Sequence, residues 1–188
     1  GYTIDELFKK GTQFSKKFVI KMATALCNIL KPIHNDNLIH KDISPNNVMY
    51  SQIEDKFYLI DFGNSRLNKI NTPKDTVFAG TPIFMAPEQG GVGTQSDNRT
   101  DIYAIGMLMK FMLTKNTTDK KSKIRGRLGK IIKKCTQSEM ASRYKNVDKL
   151  KFKLSMIKVD DFLFPFKMYL YILIGVIFIL PTIITVFF

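Results

Sequence analysis

The segment TDIYAIGMLMKFMLT, residues 100–114, most constrains how this chain can fold. A helix over these residues is apolar on nearly every side, whereas a surface helix carries one apolar stripe and one polar face. Such a helix has to be surrounded by other parts of the chain. The sequence therefore predicts a buried central helix, which is capped at its start by Thr100 or a nearby polar residue.

The other periodic segments supply the surroundings of this helix. Residues 15–35 keep apolar side chains at helical spacing, and YTIDELFKKG predicts a short helix that ends at Gly11. Two surface helices are predicted in SKIRGRLGKIIKKCTQ and NVDKLKFKLSMIK. VMY and FYLIDFG flank QIEDK, which predicts a β-hairpin with QIEDK as its turn. The predicted fold class is mainly α with a small β-hairpin, and 188 residues are enough for one domain of ordinary size.

A polar loop, LIHKDISPNNVMY, lies between the long helix and the hairpin. It holds Asp42 and Asn47, and Asp61 follows the second strand of the hairpin. Two carboxylates and a carboxamide that a hairpin brings together suit a hard, oxygen-seeking cation such as Mg²⁺. The alternative is a turn rich in Asn and Asp that carries no chemistry.

The charge balance is strongly basic, with 29 Lys and Arg against 16 Asp and Glu. These basic residues are spread along the chain and are mostly lysine, which argues against a dedicated nucleic-acid binder. Cys27 and Cys135 have no metal-ligand spacing, so we expect both to be small buried hydrophobic residues. His34 is predicted to be an ordinary polar residue at the end of its helix.

The end of the chain differs from the rest. Residues 168–188 contain no charged side chain and are long enough to cross a bilayer as a helix. All lysines and arginines precede this segment, so the positive-inside rule places residues 1–167 in the cytoplasm. A buried core helix is the alternative, but such a helix usually shows a polar stripe, and none is present here. We therefore expect a single-pass membrane protein.

Five landmarks in the sequence resemble the catalytic part of eukaryotic-type (Hanks-type) serine/threonine protein kinases. HKDISPNN at 40–47 is similar to the catalytic loop H-R-D-L-K-P-x-N, and DFG follows at 61–63. GTPIFMAPE at 80–88 resembles the end of the activation segment, and DIYAIG at 101–106 resembles the start of the buried helix of the large lobe. Arg143 matches the arginine that pairs with the glutamate of A-P-E.

This resemblance implies a domain organisation. Residues 1–158 would form the large, C-terminal lobe of a kinase, because GYTIDELF resembles the exit from the hinge between the lobes. Residues 159–167 would be a juxtamembrane segment, and residues 168–188 the transmembrane helix. The resemblance also implies that the chain is a fragment whose small lobe is absent, similar to part of a bacterial membrane-anchored kinase.

The resemblance implies ATP and Mg²⁺ as cofactors and assigns roles in phosphoryl transfer. Asp42 would accept the proton of the substrate hydroxyl and align that hydroxyl with the γ-phosphate. Asn47 and Asp61 would hold the Mg²⁺ ions that bridge the phosphates. His40 and Phe62 would be packing residues that set the two loops against each other.

Threonines in the expected activation segment indicate the substrate class. Thr81 falls where serine/threonine kinases carry a threonine next to the catalytic loop, so the expected partner is a protein substrate with a Ser or Thr hydroxyl. Thr72 and Thr76 lie near lysines and are candidate autophosphorylation sites. The alternative for both is that they are plain solvated loop residues.

Three further residues are expected to be structural. Asp101 stands at a helix start and would accept backbone N–H bonds from the catalytic loop. Glu88 and Arg143 would form a buried ion pair.

The sequence departs from the kinase pattern in two ways. Ser44 stands where serine/threonine kinases place a lysine that reaches the transferred phosphate, and loss of that cation would weaken transition-state stabilisation. No glycine-rich loop or strand lysine precedes the large lobe in these 188 residues. Two alternatives to an active enzyme follow, namely a pseudokinase scaffold at the membrane and a tethering fragment whose lysines bind anionic lipid.

Overall fold

The computed structural model describes residues 1–67, 81–90, 95–114 and 124–157. The chain divides into two units, Gly1–Leu154 and Ser155–Phe188, and the first contains the elements of the candidate site. The strands are β1 (Tyr2–Thr3), β2 (Leu38–Ile39), β3 (Val48–Ser51), β4 (Lys56–Leu59) and β5 (Arg66–Leu67). The helices are α1 (Ile4–Lys9), α2 (Lys16–Asn35), α3 (Asn98–Thr114), α4 (Gly126–Cys135) and α5, which covers residues 147–157. Single 3₁₀ turns cover Pro87–Gln89 and Met140–Ser142.

The described part is mainly helical with a small sheet, which confirms the predicted fold class. Strands β3 and β4 form the predicted antiparallel hairpin, in which Val48 pairs with Leu59 and Ser51 pairs with Lys56. Strand β1 adds to the β3 edge of this hairpin. Strands β2 and β5 pair separately as a second, two-stranded sheet that was not predicted.

Helix α3 is the buried centre of the first unit, as its all-round apolar sequence predicts. It packs against α2, α4 and β2. The helix begins at Asn98, two residues before Thr100, and the Asp97 carboxylate accepts the N–H of Arg99 at 2.8 Å. Asp97 is therefore the nearby polar residue that satisfies a free N–H group at this helix start.

Helix α3 approaches α4 closely at Gly106. A Cβ atom at this position would lie 2.5 Å from the Cβ of Cys135 and 2.9 Å from the Cγ2 of Thr136. Only glycine leaves room for these two helices to pack at this distance.

Both cysteines are buried, which confirms the prediction made for them. Cys27 is 1% exposed and Cys135 is fully buried. Burial raises the pKa of the Cys27 thiol to about 12 and also raises the pKa of Cys135. Both side chains are therefore neutral thiols that act as small core residues.

No helix within the four described ranges is long and apolar enough to cross a membrane. The predicted membrane helix, 168–188, and the predicted juxtamembrane segment, 159–167, lie outside those ranges.

Candidate active site

Two strand pairings bring the chemically interesting loops together. The β3–β4 hairpin continues past its last pair, because the N–H of Ile60 donates to the carbonyl of Asn47 at 2.9 Å. Asp61 therefore follows directly after the position that faces Asn47. On the other side, β2 precedes the loop that begins at His40, and its partner β5 follows the turn that begins at Asp61. The loop that begins at His40 and the turn that begins at Asp61 are thus held together at both ends.

The buried carboxylate of Asp101 holds the loop that carries Asp42. The N–H of His40 donates to Asp101 Oδ2 at 3.0 Å, and the N–H of Lys41 donates to Asp101 Oδ1 at 2.9 Å. Asp101 is fully buried at the start of α3. Lys41 has a φ of +68°, a left-handed conformation that is uncommon for lysine. The two charge-assisted hydrogen bonds offset the strain of this conformation.

His34 contributes a third contact to the same carboxylate, so its prediction as an ordinary polar residue is wrong. Its Nε2 lies 2.8 Å from Asp101 Oδ2, and its side chain is only 5% exposed. The helical spacing of apolar residues in α2 predicts that the side chain of His34 is buried. His34 lies four residues after Leu30 and seven after Cys27, which are both buried on the core side of α2.

Three donors from two segments hold the carboxylate of Asp42. Both the N–H and the hydroxyl of Thr81 donate to Asp42 Oδ1, at 3.0 Å and 3.1 Å. The Nδ2 of Asn64 donates to Asp42 Oδ2 at 3.2 Å. The carboxylate is half-buried, so it is both oriented by its neighbours and accessible from solvent.

His40 lies behind Asp42 and packs against Phe62. Their rings meet edge-on with centroids 4.7 Å apart, and Phe62 is about half exposed. Burial lowers the pKa of His40, although the negative charges of Asp101 and Asp42 oppose this shift. The imidazole is therefore neutral at pH 7, and its Nδ1 accepts the N–H of Asp42 at 3.3 Å.

Asn47 and Asp61 offer oxygen ligands beside Asp42. The Nδ2 of Asn47 donates to the carbonyl of Asp42 at 2.9 Å, which fixes the carboxamide and directs its oxygen away from that contact. Asp61 is exposed, has a φ of +62° and accepts the N–H of Gly63 at 3.0 Å through Oδ1. A carboxylate and a carboxamide oxygen are hard ligands of the kind that Mg²⁺ prefers, so these residues fit that cation.

A buried ion pair anchors the segment that carries Thr81. Arg143 binds Glu88 through two parallel hydrogen bonds of 2.6 Å and 2.7 Å. Its guanidinium also donates to the carbonyls of Arg99, Gln137 and Ser138, and the hydroxyl of Thr100 donates to Glu88. The side chains of this pair are almost fully buried. This arrangement is structural, because both charges are occupied by permanent partners.

Comparison with known proteins assigns this sequence to a family. The model of the protein kinase domain matches residues 1–161. The chain belongs to the protein kinase family. Its curated relatives are named as serine/threonine-protein kinases.

Three relatives show how far the similarity extends. A protein assigned as a serine/threonine-protein kinase of Acanthamoeba polyphaga mimivirus is 32% identical, and the match covers 75% of this chain and 51% of the relative. Serine/threonine-protein kinase B of Synechocystis is 27% identical over 86% of this chain and 32% of its own length. A protein assigned as a serine/threonine-protein kinase of Clostridium acetobutylicum is 26% identical over 84% of this chain and 27% of its own length. The kinase chain thus spans about half or less of these relatives.

The departure at Ser44 is visible in the structure of this kinase chain. Ser44 is fully buried, and its hydroxyl has no hydrogen-bond partner among the described residues. The position that holds a cation in the family pattern therefore holds a small, enclosed side chain.

Two residues at the site were not identified from the sequence. Gln89 is buried, donates to the carbonyl of Lys41 at 2.8 Å and accepts the N–H of Ala86 at 2.9 Å, so it joins the Thr81 segment to the catalytic loop. Asn64 contacts Asp42, as described above. Neither residue is marked by a spacing or a charge pattern. The candidate phosphorylation sites Thr72 and Thr76 lie outside the described residues.

Proposed function

We propose that this chain is the large lobe of a protein kinase that transfers the γ-phosphoryl group of ATP to Ser or Thr hydroxyls of a protein substrate. The observation that carries this proposal is the oriented carboxylate of Asp42. Thr81 and Asn64 hold it from two sides. Asn47 directly precedes the hairpin and donates to the carbonyl of Asp42, and Asp61 follows the other end of the hairpin. A positioned carboxylate next to two hard oxygen ligands is what phosphoryl transfer requires.

In this mechanism each residue has a limited task. Asp42 accepts a hydrogen bond from the substrate hydroxyl and takes its proton as the bond to phosphorus forms. Asn47 and Asp61 would hold Mg²⁺, which supplies positive charge to the transferring phosphoryl group. Asp101 keeps the Asp42 loop in its strained conformation, and the Glu88–Arg143 pair keeps Thr81 in reach of Asp42.

We further propose that activity requires a small lobe from a longer protein. The triphosphate of ATP is normally clamped by a glycine-rich loop and a strand lysine, and these 188 residues contain neither. Residues 1–167 alone should therefore bind ATP–Mg²⁺ poorly and transfer no phosphate, whereas the full-length protein should phosphorylate Ser or Thr in a general acceptor such as casein. Transfer of labelled γ-phosphate, followed by phosphoamino acid analysis, measures both. Autophosphorylation by purified residues 1–167 would contradict the need for a second lobe.

A pseudokinase scaffold is the second candidate function, and Ser44 is the observation that favours it. A buried hydroxyl cannot supply the charge that a lysine would direct at the phosphate. A scaffold of this kind would bind ATP–Mg²⁺ in the full-length protein but leave the acceptor unlabelled. The same labelling experiment therefore separates the two candidates.

We propose that residues 168–188 anchor this kinase in a membrane with the lobe in the cytoplasm. The segment is uncharged, and all basic residues precede it, including Lys149, Lys153 and Lys167 near the proposed boundary. Phosphoryl transfer from cellular ATP requires the same orientation. Protease added outside intact cells should leave the lobe uncut, and alkaline carbonate should not release the protein from membranes. Release by carbonate, or cleavage of the lobe from outside, would exclude a spanning anchor.

A further inference from the structure

The Asp42 carboxylate has one open position for a hydrogen-bond donor. An ionised carboxylate offers about four lone-pair sites, two on each oxygen. The N–H and hydroxyl of Thr81 occupy both sites of Oδ1, and the Nδ2 of Asn64 occupies one site of Oδ2. Among the described residues no other donor reaches this carboxylate. The remaining site lies on Oδ2, next to Asn64.

The backbone holds Asn64 in this place. Asn64 lies in a tight turn, because the N–H of Gly63 donates to Asp61 Oδ1 at 3.0 Å and the N–H of Ser65 donates to the carbonyl of Phe62 at 3.0 Å. Strand β5 follows two residues after Asn64 and pairs with β2, which leads directly into His40. The turn and the Asp42 loop are therefore held side by side, and the Asn64–Asp42 contact is a consequence of the strand pairing.

The environment of Ser44 makes the Asn64–Asp42 hydrogen bond more important for orienting the carboxylate. Ser44, two residues away in the loop, is fully buried, and its hydroxyl makes no hydrogen bond with the described residues. It supplies neither a cation nor a donor to Asp42. Among the described residues, Asn64 is thus the residue whose side chain donates a hydrogen bond to Oδ2 of Asp42.

We propose that Asn64 is a positioning residue for phosphoryl transfer. Its carboxamide prevents rotation of the Asp42 carboxylate and leaves the second lone-pair site of Oδ2 as the place where the substrate hydroxyl binds. This inference rests on the proposed kinase function. In the reaction, the hydroxyl oxygen forms a bond to the γ-phosphorus while the bond from that phosphorus to the β–γ bridging oxygen breaks. ADP leaves with the electron pair, and the hydroxyl proton passes to Oδ2.

Four variants of the full-length protein test this role. Asn64→Ala removes the donor, and we expect kcat to fall about 10-fold to 100-fold, which is the range for a hydrogen bond to a charged group. Asn64→Asp keeps the shape but places a second carboxylate against Asp42, so its kcat should fall further. Asn64→Gln keeps a donor and should recover part of the loss. Asn28→Ala, a change at an exposed asparagine on α2 away from the site, is the matched control and should leave kcat unchanged.

Separate measurement of kcat and of the KM for ATP–Mg²⁺ distinguishes a positioning role of Asn64 from a role in nucleotide binding. The side chain of Asn64 hydrogen-bonds Asp42 and makes no hydrogen bond to Asn47 or Asp61, so the KM for ATP–Mg²⁺ and the melting temperature should stay at the values of the unchanged protein.

Two results would overturn the role of Asn64. One is a kcat that neither Asn64→Ala nor Asn64→Asp lowers, and the other is a loss that appears only in the KM for ATP–Mg²⁺. Failure of Asn64→Gln to recover any of the activity lost in Asn64→Ala would also overturn it. A full-length protein that transfers no phosphate before any substitution would overturn the kinase proposal together with this inference.

Discussion

Asp42→Asn in the full-length protein is expected to lower kcat by about 100-fold to 10,000-fold, the usual contribution of a general base. Asparagine has almost the same shape as aspartate and can still accept the hydrogen bonds of Thr81 through its carboxamide oxygen. It cannot take up the proton of the substrate hydroxyl. The loss should therefore appear in the rate of transfer measured with saturating ATP and acceptor, while the melting temperature changes little.

Asp61→Asn should cause a loss of similar size through the metal. A carboxamide binds Mg²⁺ more weakly than a carboxylate, so the Mg²⁺ concentration needed for half-maximal activity should rise. Asp148→Asn is a suitable control, because it removes the same charge from a surface pair with Lys31 in which both side chains are about half exposed.

A near-normal kcat for Asp42→Asn would mean that Asp42 is not the base.

Arg143→Met is expected to destabilise the protein by about 3–5 kcal/mol. The substitution leaves the carboxylate of Glu88 buried without its cation, and it leaves three backbone carbonyls without their donor. A domain of ordinary size has only about 5–15 kcal/mol of stability, so a loss of this size is severe. Urea denaturation of the unchanged and substituted proteins, followed by circular dichroism, measures the difference.

Two further variants identify the cause of that loss. Replacing both Glu88 and Arg143 by methionine removes the unpaired charge and should destabilise the protein less than Arg143→Met alone. Lys31→Ala breaks the exposed pair with Asp148 and should change stability by no more than about 1 kcal/mol. If Arg143→Met and Lys31→Ala had equal effects, the buried pair would not anchor the Thr81 segment.

Local sequence patterns were sufficient to predict the elements of the fold. The period of apolar residues in α2 and the all-round apolar character of α3 are properties of single helices, and both helices form where the sequence predicts them. The hairpin is also local, since its two strands are separated only by a turn of four residues, 52–55. In each case the pattern depends on neighbours within the same element, so one sequence contains enough information.

Contacts between distant elements could not be predicted in the same way. The pairing of β2 with β5 involves two residues in each strand, which is too short a segment to show an alternating pattern. The Asn64–Asp42 contact depends on that pairing, so it was missed as well. His34 was misread because its type suggested a polar surface, whereas its position on α2 determines that it faces Asp101.

The attachment of the catalytic loop to Asp101 places the ordering of this loop late in folding. The three partners of this carboxylate, His34, His40 and Lys41, are 67, 61 and 60 positions away in the chain. Contacts at such separations form only after the entropy of closing a long loop has been overcome. The strained backbone at Lys41 therefore lacks the support of Asp101 until the loop that follows α2 has met the start of α3. A half-made chain holds the same loop residues but no aligned carboxylate, so Asp42 takes its orientation only when the core is complete.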